Sequence, residues 1–194
     1  MKNYRIQNVR PGFTLVELLT VIAIVVILAA LSLGIFNLAA QTGDISKART
    51  QLALLDNTIQ RYHAEVGVYP KATGDGSPEE SMLIYSMGFG DGLGDDGVPG
   101  TSDDTAYDGV PDQGATVHLD VLDPNQKKSP WFEQGQFPPE ALLDPWGLPW
   151  RYRGGDDPNA INTADFDLWS SGPDGLSRPD DPKHADNKDD IVNW

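Results

Sequence analysis

Hydrophobic residues dominate the amino terminus, where residues 13–36 carry one charge, that of Glu17. A helix of this length, at about 1.5 Å per residue, spans the hydrocarbon core of a bilayer. The preceding segment 1–12 is short and basic, which favours a cytoplasmic amino terminus and an exported remainder. The run is longer than the apolar part of an ordinary secretory signal. A plain membrane anchor leaves Glu17 unexplained, because a carboxylate in hydrocarbon costs on the order of 2.5–3.5 kcal/mol.

A second hydrophobic pattern follows at helical spacing. Its apolar positions recur every three or four residues and share one helix face: Ile45, Ala48, Leu52, Leu55, Ile59, Tyr62 and Val66. Gly67 and Pro70 end the pattern. We therefore predict one long helix over 13–66, with a transmembrane half at 13–36. The exported half, within 37–70, uses its apolar face to pack against a small head.

The rest of the chain alternates short apolar stretches with turn-forming residues. Residues 78–88 predict a short second helix that begins at Pro78. Residues 141–155 and 165–175 each predict a strand next to a turn, and the apolar tail residues 191–194 are expected to return to that sheet. These elements predict an α+β fold, in which the long amino-terminal helix packs against a small antiparallel β-sheet head formed by residues 141–194.

Between the second helix and the head lies a variable insertion, within residues 71–140. Its segment 88–114 holds eight Gly and seven Asp, too few apolar residues to form a core. The aspartates there do not follow the EF-hand spacing. We therefore predict a solvated surface insertion, with a non-standard calcium loop as the alternative.

Composition and charge narrow the range of functions. The chain has no Cys, and its 14 Lys and Arg against 29 Asp and Glu give a net charge of −15. Such a chain repels nucleic acid and suits metal cations or basic partners. The three histidines have no metal-ligand spacing, and no nucleophile or phosphate-binding motif is present. We therefore expect neither an enzyme nor a nucleic-acid-binding protein.

The sequence RPG followed by FTLVELLTVIAIVVILAAL resembles the amino-terminal signal of type IV pilins and type II secretion pseudopilins. The resemblance implies that prepilin peptidase cleaves after Gly12 and methylates the new amino terminus at Phe13. It also implies that Glu17 is the glutamate at the fifth mature position of that family. The Glu17 carboxylate of one subunit would then meet the Phe13 ammonium of a neighbour, because pairing removes the cost of two isolated charges in lipid.

The carboxyl-terminal residues resemble the major pseudopilin branch of the same family. The similar motifs are Asp-Pro-Trp-Gly at 144–147, WSSGPDG at 169–175 and a terminal DIVNW at 190–194. In that branch a loop before the carboxyl end binds one calcium ion. The resemblance implies carboxylate ligands and backbone carbonyl ligands from Asp174, Asp189, Asp190, Leu168, Ser171 and Leu176. Because the loop is longer here, Asp180, Asp181 or Asp186 remains an alternative to one of these.

The resemblance implies a structural role without catalytic residues. The chain is expected to be a major-pseudopilin-like subunit of a type II secretion pseudopilus, anchored in the bacterial inner membrane with its head in the periplasm. Its expected partners are itself in a helical filament, the minor pseudopilins, the inner-membrane assembly platform and prepilin peptidase. The alternatives are a type IV pilin-like surface filament subunit and a membrane-anchored calcium-binding module that does not polymerise.

Overall fold

The computed structural model describes residues 12–72, 74–126 and 128–194, and for residues 31–40 it describes the backbone alone. The predicted leader therefore lies outside the described residues, apart from Gly12. The chain divides into two compact units, Met1–Thr42 and Gly43–Trp194.

Helix α1 comprises Leu15–Val66 and confirms the long helix predicted from the hydrophobic pattern. In the first unit, the large apolar side chains between Phe13 and Leu28 are each 49–79% exposed. Among the described residues, no helix combines the length and the apolar character needed to cross a membrane. The predicted transmembrane half ends at residues 31–36, whose side chains lie outside that description.

In the second unit, α1 contributes its predicted apolar face to the core. Ala48, Leu55 and Ile59 are fully buried, and Tyr62 is 2% exposed. The stripe ends at the surface, because Val66 is 36% exposed. The Tyr62 hydroxyl donates a 2.7 Å hydrogen bond to the Gly97 carbonyl.

Helix α2 comprises Pro78–Phe89 and confirms the predicted second helix. Proline at its start and Gly90 at its end, with φ +81°, are typical of these positions. Glu80 stabilises the turn that precedes α2, since its carboxylate accepts hydrogen bonds from the Asp75 and Gly76 amides. Its burial raises the pKa of Glu80 to about 7, because water no longer stabilises the charged form.

Three antiparallel strands form the sheet, in the order β1 (Arg151–Gly154), β2 (Phe166–Ser170) and β3 (Ile191–Val192). Both predicted strands and the returning tail are confirmed. The last residue also packs on the sheet, with the Trp194 ring edge-on to Trp169 at 5.6 Å between centroids. The predicted α+β class is therefore confirmed.

The core of the second unit lies where α1, α2 and the sheet meet. It is dominated by aromatic and large aliphatic side chains from all three layers, including Leu55, Ile59, Tyr62, Met82, Ile84, Tyr85, Leu122, Trp131, Leu142, Trp150, Tyr152, Phe166 and Leu168. Ser81 in α2 also contacts the segment that precedes β1, because its hydroxyl accepts a hydrogen bond from the Leu142 amide at 2.9 Å.

The prediction of a solvated insertion at 88–114 is wrong for its inner part. Leu93 is only 6% exposed and belongs to the core, and Tyr107 packs against it. Asp91 is fully buried and accepts hydrogen bonds from the Tyr85 hydroxyl at 2.6 Å and the Gly109 amide at 2.8 Å. The segment joins the core because carboxylates satisfy its backbone donors where no strand does.

Two adjacent leucines in α1 test this packing. Leu55→Ala removes a fully buried side chain and should lower the free energy of unfolding by about 2–5 kcal/mol. Leu54→Ala, at a residue 42% exposed, is the matched control and should cost less than about 1 kcal/mol. Urea denaturation of the full chain in detergent, followed by tryptophan fluorescence, measures both. Equal losses would contradict the assignment of the buried face.

Candidate functional site

The first candidate site surrounds the start of α1. Gly12, Phe13 and Thr14 precede the helix, and Glu17 lies in its first turn. Glu17 Oε2 accepts hydrogen bonds from the Thr14 amide at 2.8 Å and from its hydroxyl at 2.7 Å. The Glu17 amide in turn donates to the Thr14 hydroxyl at 3.2 Å. This reciprocal pair is a capping box, which satisfies amide groups at the helix start.

The capping box holds the Glu17 carboxylate at Thr14, which follows Phe13, the predicted amino terminus after processing, in sequence. Both contacts from Thr14 are made to Oε2. The spacing Thr-x-x-Glu predicts such a box from sequence, a role for Thr14 that the membrane argument overlooks. The carboxylate therefore has a local partner within its own chain.

The second candidate site is the loop between β2 and β3, in the larger unit. Ser170 pairs with Ile191 in antiparallel register. Continuing that register places Ser171 and Gly172 opposite Asp190 and Asp189. The approach at Gly172 is close enough that a Cβ there would collide with the Asp189 carbonyl oxygen, and its φ of +64° also favours glycine.

This register brings the three predicted carboxylate ligands into one neighbourhood. The Asp174 amide donates to Asp189 Oδ2 at 3.3 Å. Asp190 Oδ2 accepts the Ser177 hydroxyl at 2.7 Å, while its Oδ1 is buried with no hydrogen-bond partner among the described residues. Burial raises the pKa of Asp190 to about 6, and the charges of Asp189 and Asp174 add to the rise.

The predicted carbonyl ligands occupy different surroundings. The Leu168 carbonyl, inside β2, accepts the Asn193 amide at 3.2 Å. Ser171 follows β2 and is 1% exposed, whereas Leu176 is 55% exposed. Within the described part of the chain, no three His, Cys, Asp or Glu side chains are already grouped to hold a metal ion. The three aspartates are thus neighbours rather than a preformed cage.

Two of the alternative ligands already contact arginine. The Asp180 carboxylate accepts the Arg153 guanidinium at 3.1 Å, and that of Asp186 lies 3.2 Å from Arg178 Nε. Asp181, the third alternative ligand, contacts the loop through its backbone, because its carbonyl accepts a hydrogen bond from the Asn187 side-chain amide. Asp180 and Asp186 thus each form an ion pair, whereas Asp190 is influenced by the charge of Arg151, which opposes the rise in the pKa of Asp190.

Asp144 links the turn at residues 144–148 to the end of β2, where the β2–β3 loop begins. Its Oδ1 accepts the Trp146 and Leu148 amides at 2.9 Å each, and its Oδ2 accepts the Ser170 hydroxyl at the end of β2. Burial raises the pKa of Asp144, and these hydrogen bonds oppose the rise. The sequence identified a turn here from Asp-Pro-Trp-Gly, but not the contact between that turn and β2.

Comparison with known proteins agrees with the amino-terminal geometry. Residues 8–33 match the family model described as the prokaryotic N-terminal methylation motif. The amino terminus is type IV pilin-like. The resemblance stated from the sequence is thus confirmed at this level.

One curated relative is similar over a longer stretch. It is the fimbrial protein EcpC of Eikenella corrodens, 30% identical over 91 residues, which are 43% of this chain and 60% of the relative. The chain thus spans about three-fifths of that relative's length. No solved structure matches the chain.

Removing the Asp144 carboxylate tests its support of the loop. Asp144→Ala leaves two amides and a hydroxyl without their acceptor, so we expect a loss of at least about 3 kcal/mol in the free energy of unfolding. Asp108→Ala removes an exposed carboxylate that accepts one amide, and should cost less than about 1 kcal/mol. Chemical denaturation of both variants measures the difference, and a loss below about 1 kcal/mol for Asp144→Ala would refute the role.

Proposed function

We propose that this type IV pilin-like protein is a major-pseudopilin-like subunit of a type II secretion pseudopilus. The observation that carries the proposal is the methylation motif, with Glu17 held at the start of α1 as the one charge within residues 13–36. The exposed apolar side chains of the first unit need a covering surface, which a membrane supplies before assembly and neighbouring helices supply within a filament.

Processing provides the charge that makes Glu17 useful. Cleavage after Gly12 by prepilin peptidase creates an ammonium group on Phe13, and methylation keeps it charged. In the filament, the Glu17 carboxylate of one subunit pairs with the Phe13 ammonium of its neighbour. Pairing lowers the cost of both charges in an apolar setting and fixes the register between subunits. The capping contact to Thr14 holds the carboxylate at the helix start until that pairing occurs.

The remaining parts of the proposal concern place and partners. The subunit is anchored in the bacterial inner membrane with its head in the periplasm. The assembly platform and the minor pseudopilins start and extend the filament. Growth of the filament then moves folded proteins outward, so the chain acts mechanically and needs no catalytic residues.

Charge reversal at Glu17 tests the pairing. Glu17→Lys places two like charges together, so we expect filament yield to fall at least about tenfold while membrane insertion is retained. Glu17→Gln, which removes the charge without reversing it, should give an intermediate yield. Sheared filaments are quantified by immunoblotting after co-expression with the assembly machinery.

Mass spectrometry provides the control for this experiment. The wild type and both variants should yield a mature chain that begins at N-methylated Phe13, which separates failed assembly from failed processing. Wild-type filament yield from a processed Glu17→Lys chain would contradict the pairing. An unprocessed wild-type chain would contradict the whole proposal and favour a membrane-anchored module that does not polymerise.

A second function, a surface filament of the type IV pilin kind, is favoured by the similarity to a fimbrial protein. Deletion of the gene distinguishes the two functions. Loss of protein secretion with an unchanged cell surface supports the pseudopilus. Loss of surface filaments with intact secretion supports the pilus.

We further propose that the β2–β3 loop binds one calcium ion through Asp174, Asp189 and Asp190, with carbonyls of Leu168, Ser171 and Leu176 as further ligands. The proposal is supported by the buried, unpartnered Oδ1 of Asp190 and by the neighbouring carboxylates, which repel one another without a cation. Oxygen-only ligand sets of this kind suit calcium. A bound ion would neutralise the loop and hold it against β2.

Thermal unfolding tests the calcium proposal. Calcium at a hundred times its dissociation constant should stabilise the full chain by about 2.7 kcal/mol, a rise of several degrees in Tm over a chelator control. Asp189→Asn and Asp190→Asn should abolish the rise. Asp120→Asn, at an exposed residue outside the loop, should preserve it. Coincident melting curves with calcium and chelator would refute the site and leave filament assembly untouched.

A further inference from the structure

A groove of about 810 Å³ opens beside the start of α2 in the larger unit, and neither candidate site uses it. Its lining includes Lys71, Ala72, Asp75 and Ser77, which precede α2, and the first residues of α2 at 78–80. Residues 138–140 together with Gly100, Asp104 and Tyr107 also line it. The groove is therefore large enough to accept several side chains.

Apolar side chains form the floor of the groove. Met82 is 3% exposed and Leu83 is half-buried. Gly100 packs closely over Leu83, since a Cβ on it would lie 3.2 Å from the Leu83 Cδ2 atom. Pro138 and Pro139 complete one side. This floor offers apolar surface that any occupant would remove from water.

An exposed aromatic side chain lies next to the groove in sequence. Phe137 is 54% exposed and immediately precedes the two prolines of the groove wall. Its ring rests against the backbone of Gly109, because a Cβ there would meet Phe137 carbons at 2.7–2.9 Å.

Negative charge surrounds this apolar floor. Lys71 is the one cation that lines the groove among the described residues. Five carboxylates line it: Asp75, Glu79, Glu80, Asp104 and Glu140. Lys71 is turned towards Asp156, with its Nζ atom 3.3 Å from that carboxylate. The hydrogen bond from the Ser77 amide lowers the pKa of Asp75, and the charge of Arg151, outside the lining, adds to the fall. In the described residues, Glu79, Glu80, Asp104 and Glu140 form no ion pair, although Glu80 and Asp104 accept backbone amides.

Two properties of the molecule indicate which kind of positively charged occupant suits the groove. Among the described residues that line the groove, no three acidic side chains are grouped to hold a metal ion, so a side-chain cation is the better candidate. In the proposed filament copies meet through their amino-terminal helices, and the net charge of −15 makes a second copy less suited to this acidic groove than a basic segment.

We propose that this groove docks a peptide segment of a partner protein that carries an arginine or lysine flanked by apolar residues. The apolar flanks cover Leu83 and the proline wall, and the cation lies between Glu79 and Glu140. Burial of apolar surface supplies most of the affinity, and the carboxylates select the charge.

Isothermal titration calorimetry of the full chain in lipid nanodiscs tests the proposal. The probes are acetyl-Gly-Leu-Arg-Phe-Gly-amide and the same peptide with Glu in place of Arg, each corrected against empty nanodiscs. The arginine peptide should bind at least about tenfold more tightly than the glutamate peptide. Its affinity should also fall as salt is raised, because exposed charge pairs are screened.

Matched double variants place the binding in the groove. Glu79→Gln with Glu140→Gln should weaken the arginine peptide about twofold to tenfold. Asp120→Asn with Glu133→Gln removes the same charge from exposed residues outside the groove and should leave binding unchanged. Leu83→Ala should weaken both peptides, since it reduces the apolar floor.

Three results would overturn the proposal. The first is equal binding of the arginine and glutamate peptides to the wild type. The second is an equal loss of affinity in the two double variants. The third is a change in self-association of the groove double variant by sedimentation, which would make a second copy the occupant.

Discussion

Aspartate carboxylates that accept backbone amide hydrogen bonds stabilise the larger unit of this protein, Gly43–Trp194. Its three strands are short, so most of the backbone there has no ladder partner. Asp91, Asp144 and Asp167 are nearly or fully buried, and each accepts two or more hydrogen bonds. A buried amide without an acceptor is costly, and a carboxylate at short sequence distance removes that cost without a regular sheet.

This arrangement gives the acidic composition a structural meaning. In the segment 88–114, Asp103 accepts the amides of Asp95 and Asp96, and Asp112 accepts that of Leu93. A loop that folds around its own carboxylates can bring Leu93 and Tyr107 into the core. In the groove beside α2, Glu80 and Asp104 accept backbone amides in the same way. In the β2–β3 loop, Asp190 keeps one buried carboxylate oxygen, Oδ1, without a hydrogen-bond partner among the described residues.

The amino terminus follows the same principle on a smaller scale. Glu17 and Thr14 satisfy each other at the start of α1, in a segment whose apolar side chains have no covering in the single chain. Assembly into a filament both covers those side chains and offers Glu17 a charged partner. A residue that caps a helix in the monomer can thus serve as the pairing group in the filament, because both roles need a carboxylate at the helix start.

Features that depend on local spacing could be read from the amino-acid sequence. The apolar periodicity of 45–66 predicted a buried helix face, Pro78 marked the start of the second helix, and the signal at residues 10–31 lies largely within the stretch that matches the methylation motif. Which aspartates share a neighbourhood depends on tertiary contacts. Asp174 and Asp189 meet because β3 pairs with β2, and Leu93 is buried because Asp91 reaches Tyr85. Such contacts join residues by strand register and core packing, which local sequence patterns do not specify.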